Sequence, residues 1–349
     1  MKKLLNKIRR KQPEQEASRI TAETIAEHRE RVLAGGRRFK YPLQTARHRL
    51  VIIAIIIGVV TLALAGALGY WQLYIAQNTS DFMYRVTRVI PLPVAVVDGQ
   101  QVRYSDYLMK YRSAVHYLEE KEQVSMNTED GKRQSDFIKQ ESMRDAIADA
   151  YAAKLAKELD ITVSGAELET FLKQQRSSSD GEVSETTYDA VILDYYGWSP
   201  DEYRHAMRSK LLRQKVAFAV DAAAQKASED TATAITGGTS DLQALTASIN
   251  ATGEVVAEYV AVGWVPKTNQ DGGLALAASN LAKGSISSAI KSTSGDGYYF
   301  LKLVDVSSDQ VNYEFVHIPL TVFETDLANI IDSDDVREYI TVPDVNTEQ

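Results

Sequence analysis

One stretch breaks the mixed hydrophobic and polar pattern of this chain. Leu50 to Tyr70, LVIIAIIIGVVTLALAGALGY, carries no charge, and its only hydroxyls are those of Thr61 and Tyr70. A helix rises ~1.5 Å per residue, so about 20 such residues cross a ~30 Å hydrocarbon layer. A helix also closes its own backbone hydrogen bonds where no water is present. The stretch predicts a membrane-spanning helix over residues 50–73, with Trp71 and Tyr74 placed as interfacial aromatics. Ala63-Leu64-Ala65 has the form of a signal-peptide cleavage site. It lies inside the apolar run, however, and 49 residues precede that run, where a signal peptide has only a short basic segment. An uncleaved anchor is expected.

The flanks have a different rhythm. Residues 1–20 are charged and interrupted by Pro13, which reads as a mobile tail. Thr21 to Leu33 predicts a short helix, with Thr21 as N-cap and Gly35-Gly36 as its end. Its apolar positions fit a helix resting on anionic lipid, and its charge fits a solvated tail that sets topology; both readings stand.

Beyond the anchor, Ser80-Asp81 opens a helix to Val89 that Pro91 and Pro93 stop. Val94–Val97, the Asp98-Gly99 turn and Gln101–Tyr104 read as a hairpin. Ser105 is placed to cap a helix whose apolar side carries Tyr107, Leu108, Tyr111, Val115 and Leu118. A long helix is expected over Ser135–Glu158, a capping box at Ser164–Glu167 opens another to Gln175, and Arg176–Gly181 reads as a loop. A helix over Glu185–Tyr196 ends at Gly197, and a second capping box, Ser199–Glu202 with Pro200 at N1, opens a helix to Gln225. SEDTATAITGGTS, from Ser228, reads as a polar break and a domain boundary. Then follow a helix over Asp241–Ile249, a strand over Val255–Val265, a helix over Leu274–Leu281, strands over Ile286–Ile290, Tyr298–Val306 and Val311–Leu320, and a helix over Phe323–Ile331 before a polar tail.

Charge then assigns sides. Residues 1–49 hold 14 Lys and Arg against 5 Asp and Glu, which leaves 25 against 42 for the remainder. Basic residues concentrate on the cytoplasmic side of a single span, so the N-terminus is expected in the cytoplasm and the acidic bulk outside. An acidic exterior excludes nucleic acid as a partner of that part. There is no cysteine, which excludes disulfides, thiolate catalysis and Cys-based metal sites. HExxH, phosphate-loop and GxSxG motifs are absent, and His28, His48, His116 and His205 are far apart, so neither a metal nor a cofactor is expected.

The segments VAVVDGQQVRYSDYLMKY, LDITVSGAELETFLKQQ and YYGWSPDEYRHAMRSKLLRQKV, in that order, resemble the N-terminal chaperone module of SurA-like and PrsA/PpiD-like foldases. The resemblance implies a helical cradle that holds unfolded or nascent exported polypeptides. The module is rich in tyrosine, with Tyr104, Tyr107, Tyr111, Tyr117, Tyr151, Tyr188, Tyr195, Tyr196 and Tyr203 as candidates for core, rim or client groove.

Gly263-Trp264-Val265, then Gly284-Ser285-Ile286-Ser287, then Gly297-Tyr298-Tyr299-Phe300-Leu301-Lys302-Leu303 resemble the second half of a parvulin-type peptidyl-prolyl isomerase domain. Two departures accompany the likeness. The family's histidine in its last strand falls on Tyr299, and its opening strand with a second histidine is missing before residue 241. The late segment VNYEFVHIPL carries His317 and is expected to fill the missing strand, as in a permuted domain. His317 and Tyr299 are thus the candidate catalytic residues, beside a reading in which both are structural.

The expected fold is α+β: one transmembrane helix, a mainly helical SurA-N-like module and a small parvulin-like α+β domain. The expected domains are a basic cytoplasmic tail (1–49), the span (50–73), the helical module with its hairpin (74–227), the parvulin-like domain (228–320) and a C-terminal helix and tail (321–349). The expected function is a membrane-anchored extracytoplasmic chaperone with a weak or inactive isomerase domain. Its partners would be unfolded exported chains, the lipid bilayer and the secretion channel. An active prolyl isomerase and a structural adaptor of a secretion or envelope complex are the alternatives.

Overall fold

The computed structural model of the chain describes residues 21–40, 43–178, 181–333 and 335–343; the charged tail expected over residues 1–20 lies outside them. The chain forms two units, residues 1–71 and 72–349.

In the first unit, helix α1 (Ala22–Lys40) runs through Gly35 and Gly36, where an end was expected. Glycine costs a helix only about 1 kcal/mol, and without a proline the helix continues. Helix α2 (Leu43–Tyr70) is 28 residues long and opens directly after Pro42, a residue helices tolerate at their start. No residue from His48 to Leu68 is buried, whereas the core helix of a water-soluble domain would bury at least one face. Length and apolarity both suffice to cross a membrane.

A π-helical turn, Trp71–Ile75, follows α2 in the chain. The second unit continues with α3 (Asp81–Val89), then β1 (Pro93–Val97) and β2 (Gln100–Arg103), an antiparallel hairpin closed at Asp98-Gly99. Both turn residues have positive φ, 44° and 77°, as a two-residue hairpin turn requires. Helix α4 (Tyr104–Glu120) starts one residue before the expected cap. Ser105 does not cap it, because Tyr104 anchors the start instead: its N–H donates to Leu92 O and its hydroxyl to Leu73 O at 2.7 Å.

Helix α5 (Glu129–Glu158) opens six residues before Ser135, with Thr128 Oγ1 accepting from Gly131 N. A glycine is required at 131, since a Cβ there would sit 2.1 Å from Ser125 O. Helix α6 (Gly165–Arg176) has the expected capping box, with Ser164 N donating to Glu167 Oε2 and Glu167 N to Ser164 Oγ. The expected loop after it contains two short paired strands, β3 (Ser177–Ser178) and β4 (Gly181–Glu182). Helix α7 (Glu185–Tyr196) ends at Gly197, whose φ is 65°.

Helix α8 (Pro200–Val220) has its capping box at Ser199 and Glu202, but it stops at Asp221 rather than Gln225. Asp221 is buried and works at three places: Oδ1 accepts from Ala224 N, and Oδ2 from Thr321 N and Val322 N. It thereby caps α9 (Ala222–Thr236), which carries the helix through the polar break expected from Ser228. Alanine propensity keeps this polar stretch helical, and its threonine hydroxyls are satisfied four residues back, as Thr231 Oγ1 is by Ala227 O. The domain boundary read at residue 228 therefore falls inside a helix.

Helix α10 (Leu242–Ala251) precedes a four-stranded antiparallel sheet. In chain order come β5 (Glu258–Pro266), helix α11 (Leu274–Ser279), β6 (Ile290–Lys291), β7 (Gly297–Val306) and β8 (Gln310–Pro319). The spatial order is β5-β8-β7-β6, so the late strand lies between the other two long ones. The strand expected over Ile286–Ile290 shrinks to β6 and a bridge from Ile286 to Lys302. Alternation divides the sheet: Tyr298, Phe300, Val316 and Ile318 pack on α9 and α10, while Leu301, Leu303, Val311 and Tyr313 pack on α11.

Helix α12 (Val322–Ile331) lies where a helix was expected, and strand β9 (Val336–Glu338) follows where a polar tail was expected; both return to the helical part. β9 pairs antiparallel with β1, giving the order β2-β1-β9. Phe323, Leu327 and Ile340 enter the core formed by Val94, Tyr104, Leu108, Met143, Ile147 and Val216. Above that core Lys110 lies 2.5 Å from Asp145 and 2.7 Å from Asp149, and Arg213 lies 2.6 Å from Asp145. Burial alone would push the Asp145 carboxyl up, but Lys110 and Arg213 outweigh it and hold it below the usual range.

Two outcomes follow. Ile340→Ala is expected to lower the stability of the second unit by about 2–4 kcal/mol in urea unfolding, the cost of truncating a buried isoleucine. Asp145 binds its proton less readily folded than unfolded, so its contribution is complete above the unfolded value of about 4 and fades as pH falls through the folded value. Urea midpoints should fall on that acid limb, and Asp145→Asn should flatten it.

Candidate functional site

Two places in the second unit present chemistry to solvent. The first is built where α4 and α7 meet. Of the nine candidate tyrosines of the helical part, Tyr104, Tyr107, Tyr111, Tyr151 and Tyr203 are buried and Tyr188 is partly so. Tyr117, Tyr195 and Tyr196 face outward, the last two 46% and 43% exposed, beside exposed Val191 and Leu193. The rings are fixed in place. Tyr195 stacks on Tyr117 at 6.5 Å, Lys121 Nζ sits 4.9 Å over it, and Tyr196 stacks on Trp198 at 5.1 Å. Trp198 Nε1 donates to Met109 O.

Beneath these rings is a small cavity of about 60 Å³, lined by Tyr84, Arg112, His116, Trp198 and Glu202 among others. Tyr84 donates to Glu202 Oε1 at 2.6 Å, and Arg112 lies 4.6 Å over the Tyr84 ring while pairing with Asp81. Burial pushes the Tyr84 phenol up and Glu202 adds to it. Burial would likewise raise the Glu202 carboxyl, but hydrogen bonds from Tyr84 and Ser199 hold it below its usual range. The result is a preset aromatic surface, beside which Lys121 pairs with Asp194, suited to apolar and aromatic groups of an extended chain.

The second place is the end of the sheet that α11 leaves partly uncovered. Tyr299 and His317 are cross-strand neighbours in register, with rings stacked at 4.5 Å. The Tyr299 hydroxyl donates to Asp296 Oδ2 at 2.9 Å, and His317 Nε2 lies 3.4 Å from Asp296 O. Burial pushes the Tyr299 phenol up and the Asp296 carboxylate adds to it, so the phenol stays protonated. Burial would raise Asp296, but Ser292, Ser294 and Tyr299 outweigh it and keep the carboxylate charged at neutral pH. The Tyr299 hydroxyl and the Asp296 carboxylate thus satisfy each other, while His317 stacks on Tyr299 and faces the Asp296 backbone carbonyl.

Gly297 has a steric reason: a Cβ there would lie 2.2 Å from Ile318 O and 2.8 Å from His317 Nε2. Gly263 (φ 79°) makes the β5 bulge and Gly284 (φ 82°) the turn whose N–H donates to Leu303 O. Trp264 is half exposed on β5, and Tyr298 faces the opposite side of the sheet from Tyr299, against Phe218.

Sequence reasoning brought Tyr299 and His317 forward and missed Asp296, which sat in an apparent Ser-Gly-Asp-Gly turn. It also missed Arg112, Tyr84 and Glu202, whose only local signal was the capping role of Glu202.

A family model of the SurA-like N-terminal domain matches residues 43–217, half of the chain, and the chain belongs to that family. This is a family of chaperone-like periplasmic foldases, whose N-terminal domains bind unfolded polypeptide in general. The matched span includes α2 and ends within α8. No curated protein and no solved structure matches the chain.

Gly197 fixes the approach of α7 to α4, with His116 atoms 3.1–3.3 Å from where a Cβ would stand and a positive φ of 65°. Gly197→Ala should cost about 1–2 kcal/mol from backbone conformation alone, read as a lower melting temperature with the Tyr195–Tyr117 pair disturbed in near-UV circular dichroism.

Proposed function

We propose that this protein is a single-pass, membrane-anchored chaperone that holds unfolded exported polypeptides outside the cytoplasmic membrane. Membership of the SurA-like family carries the reading. Helix α2 supports the anchor, because it is long and apolar enough to span and none of its residues 48–68 is buried. The 14 basic residues among residues 1–49 support a cytoplasmic N-terminus, and the acidic bulk after the span an exterior position. A tethered chaperone meets emerging clients at a raised effective concentration. The outward tyrosines of α4 and α7 are assigned to client contact.

The sheet of β5–β8 is assigned to a permuted parvulin-like domain, with β8 in the place of the family's first strand. Its position between β5 and β7 supports this. The domain is bounded by Asp221 and Thr321 rather than by residues 228 and 320. Isomerisation of an X–Pro bond faces a barrier of about 18–20 kcal/mol, lowered by an apolar pocket that disfavours the planar amide. Here Tyr299, His317 and Asp296 bind each other, which supports a client-binding or spacer role over catalysis.

Full-length protein in nanodiscs should suppress aggregation of a chemically unfolded client. The triple variant Tyr117→Ser, Tyr195→Ser, Tyr196→Ser should weaken client binding by roughly tenfold or more, since each exposed aromatic contact is worth about 0.5–1.5 kcal/mol. Proline-limited refolding should not accelerate; a rate rise that His317→Ala abolishes would establish an isomerase instead. Capture of one folded protein in fixed stoichiometry, with no effect on unfolded clients, would establish an adaptor.

A further inference from the structure

Helix α3 shows an inverted surface. Its inner side is built from Tyr84 and Thr87, which are buried, with Met83 packed against the same core. Its outer side carries Phe82, Arg85 and Val89, which recur at helical spacing within a narrow arc. Phe82 is 67% exposed and Val89 is 83% exposed, and Ile90, next to Val89 in the chain, is also open. No large hydrophobic side chain among the described residues is more exposed than Val89. Arg85 is exposed and has no ion-pair partner among the described residues, whereas Arg88 pairs with Glu202 and Arg112 with Asp81.

A surface helix ordinarily turns such groups inward. An apolar stripe with a free guanidinium suits one environment: the boundary between lipid tails and phosphate headgroups. Connectivity supplies the same environment. Ten residues separate Tyr70 from Asp81, a reach of about 35 Å at most even when fully extended.

From this we infer that the outer face of α3 docks onto the anionic headgroup layer of the bilayer that α2 crosses, with Phe82 and Val89 entering the interface and Arg85 meeting phosphate. The inference rests on the reading of α2 as a membrane span. The docked face would hold the root of the helical module against the membrane and leave the α4–α7 tyrosines to clients.

The chain has no cysteine, so single-cysteine nitroxide labels report cleanly. Ile57→Cys, Phe82→Cys, Val89→Cys and Lys226→Cys are placed in full-length protein, in nanodiscs of phosphatidylcholine and phosphatidylglycerol. Collisions with oxygen and with a water-soluble nickel chelate are compared at each. The inference predicts that oxygen collisions are enriched severalfold over nickel at positions 57, 82 and 89 relative to 226. Arg85→Glu should return 82 and 89 toward the value at 226 without moving 57. Position 57 in lipid with 82 and 89 as wet as 226 would overturn the docking and leave the anchor standing. Position 57 in water would overturn the anchor and the docking together. Labels at 82 and 89 shielded from both reagents would place protein on this face and overturn the docking.

Discussion

Strand β1 depends on a partner that arrives only after most of the chain has been laid down. On one edge it pairs with its neighbour β2 through a two-residue turn, and on the other with β9, more than two hundred residues later. Hydrogen bonds from Asp98 N to Asp335 O and from Tyr339 N to Val94 O extend that pairing at both ends. Gln77 Nε2 donates to Thr341 O, and Ile340 closes the core above Tyr104 and Leu108. Residues near the start and the end of the second unit thus share one core. An exposed β1 edge would otherwise be a template for any extended chain, a hazard for a protein that handles unfolded ones.

The β5–β8 sheet lies between α8 and α12 in the chain, and a single buried carboxylate, Asp221, binds the backbone at both ends of that segment. An insertion whose ends lie together disturbs its host little. A second tie is Gln214 Nε2 donating to Thr293 O, with Gly295 so close that a Cβ would meet Gln214 Cγ at 2.5 Å. The Ser292–Asp296 turn that positions Asp296 beside Tyr299 is therefore also seated on α8. The α4–α7 surface lies on the helical part alone and owes nothing to the sheet.

Much of this was legible where chemistry is local. The apolar run, the Asp98-Gly99 turn and the capping boxes of Ser164 and Ser199 are each set by a few adjacent residues. So was the strand character of Val311–Leu320, whose β-branched and aromatic residues alternate, and it pairs beside Tyr298–Val306. What escaped was decided by distant partners. Val336–Glu338 has no strand pattern of its own and is a strand only because β1 offers an edge. The start of α5 at Glu129, six residues before Ser135, rests on the close approach of Gly131 to Ser125. Polar SEDTATAIT looked like a linker, yet Ser228 and Thr231 are buried against a neighbouring core. Among the tyrosines, periodicity named the set but could not divide the five that are buried from the three that face solvent.

Site-specific photocrosslinking from position 195 in full-length, membrane-embedded protein tests the central claim most directly. The account predicts adducts with many unrelated exported chains while they are unfolded, and none with the same chains once folded. A single folded partner, captured equally in both states, would contradict it.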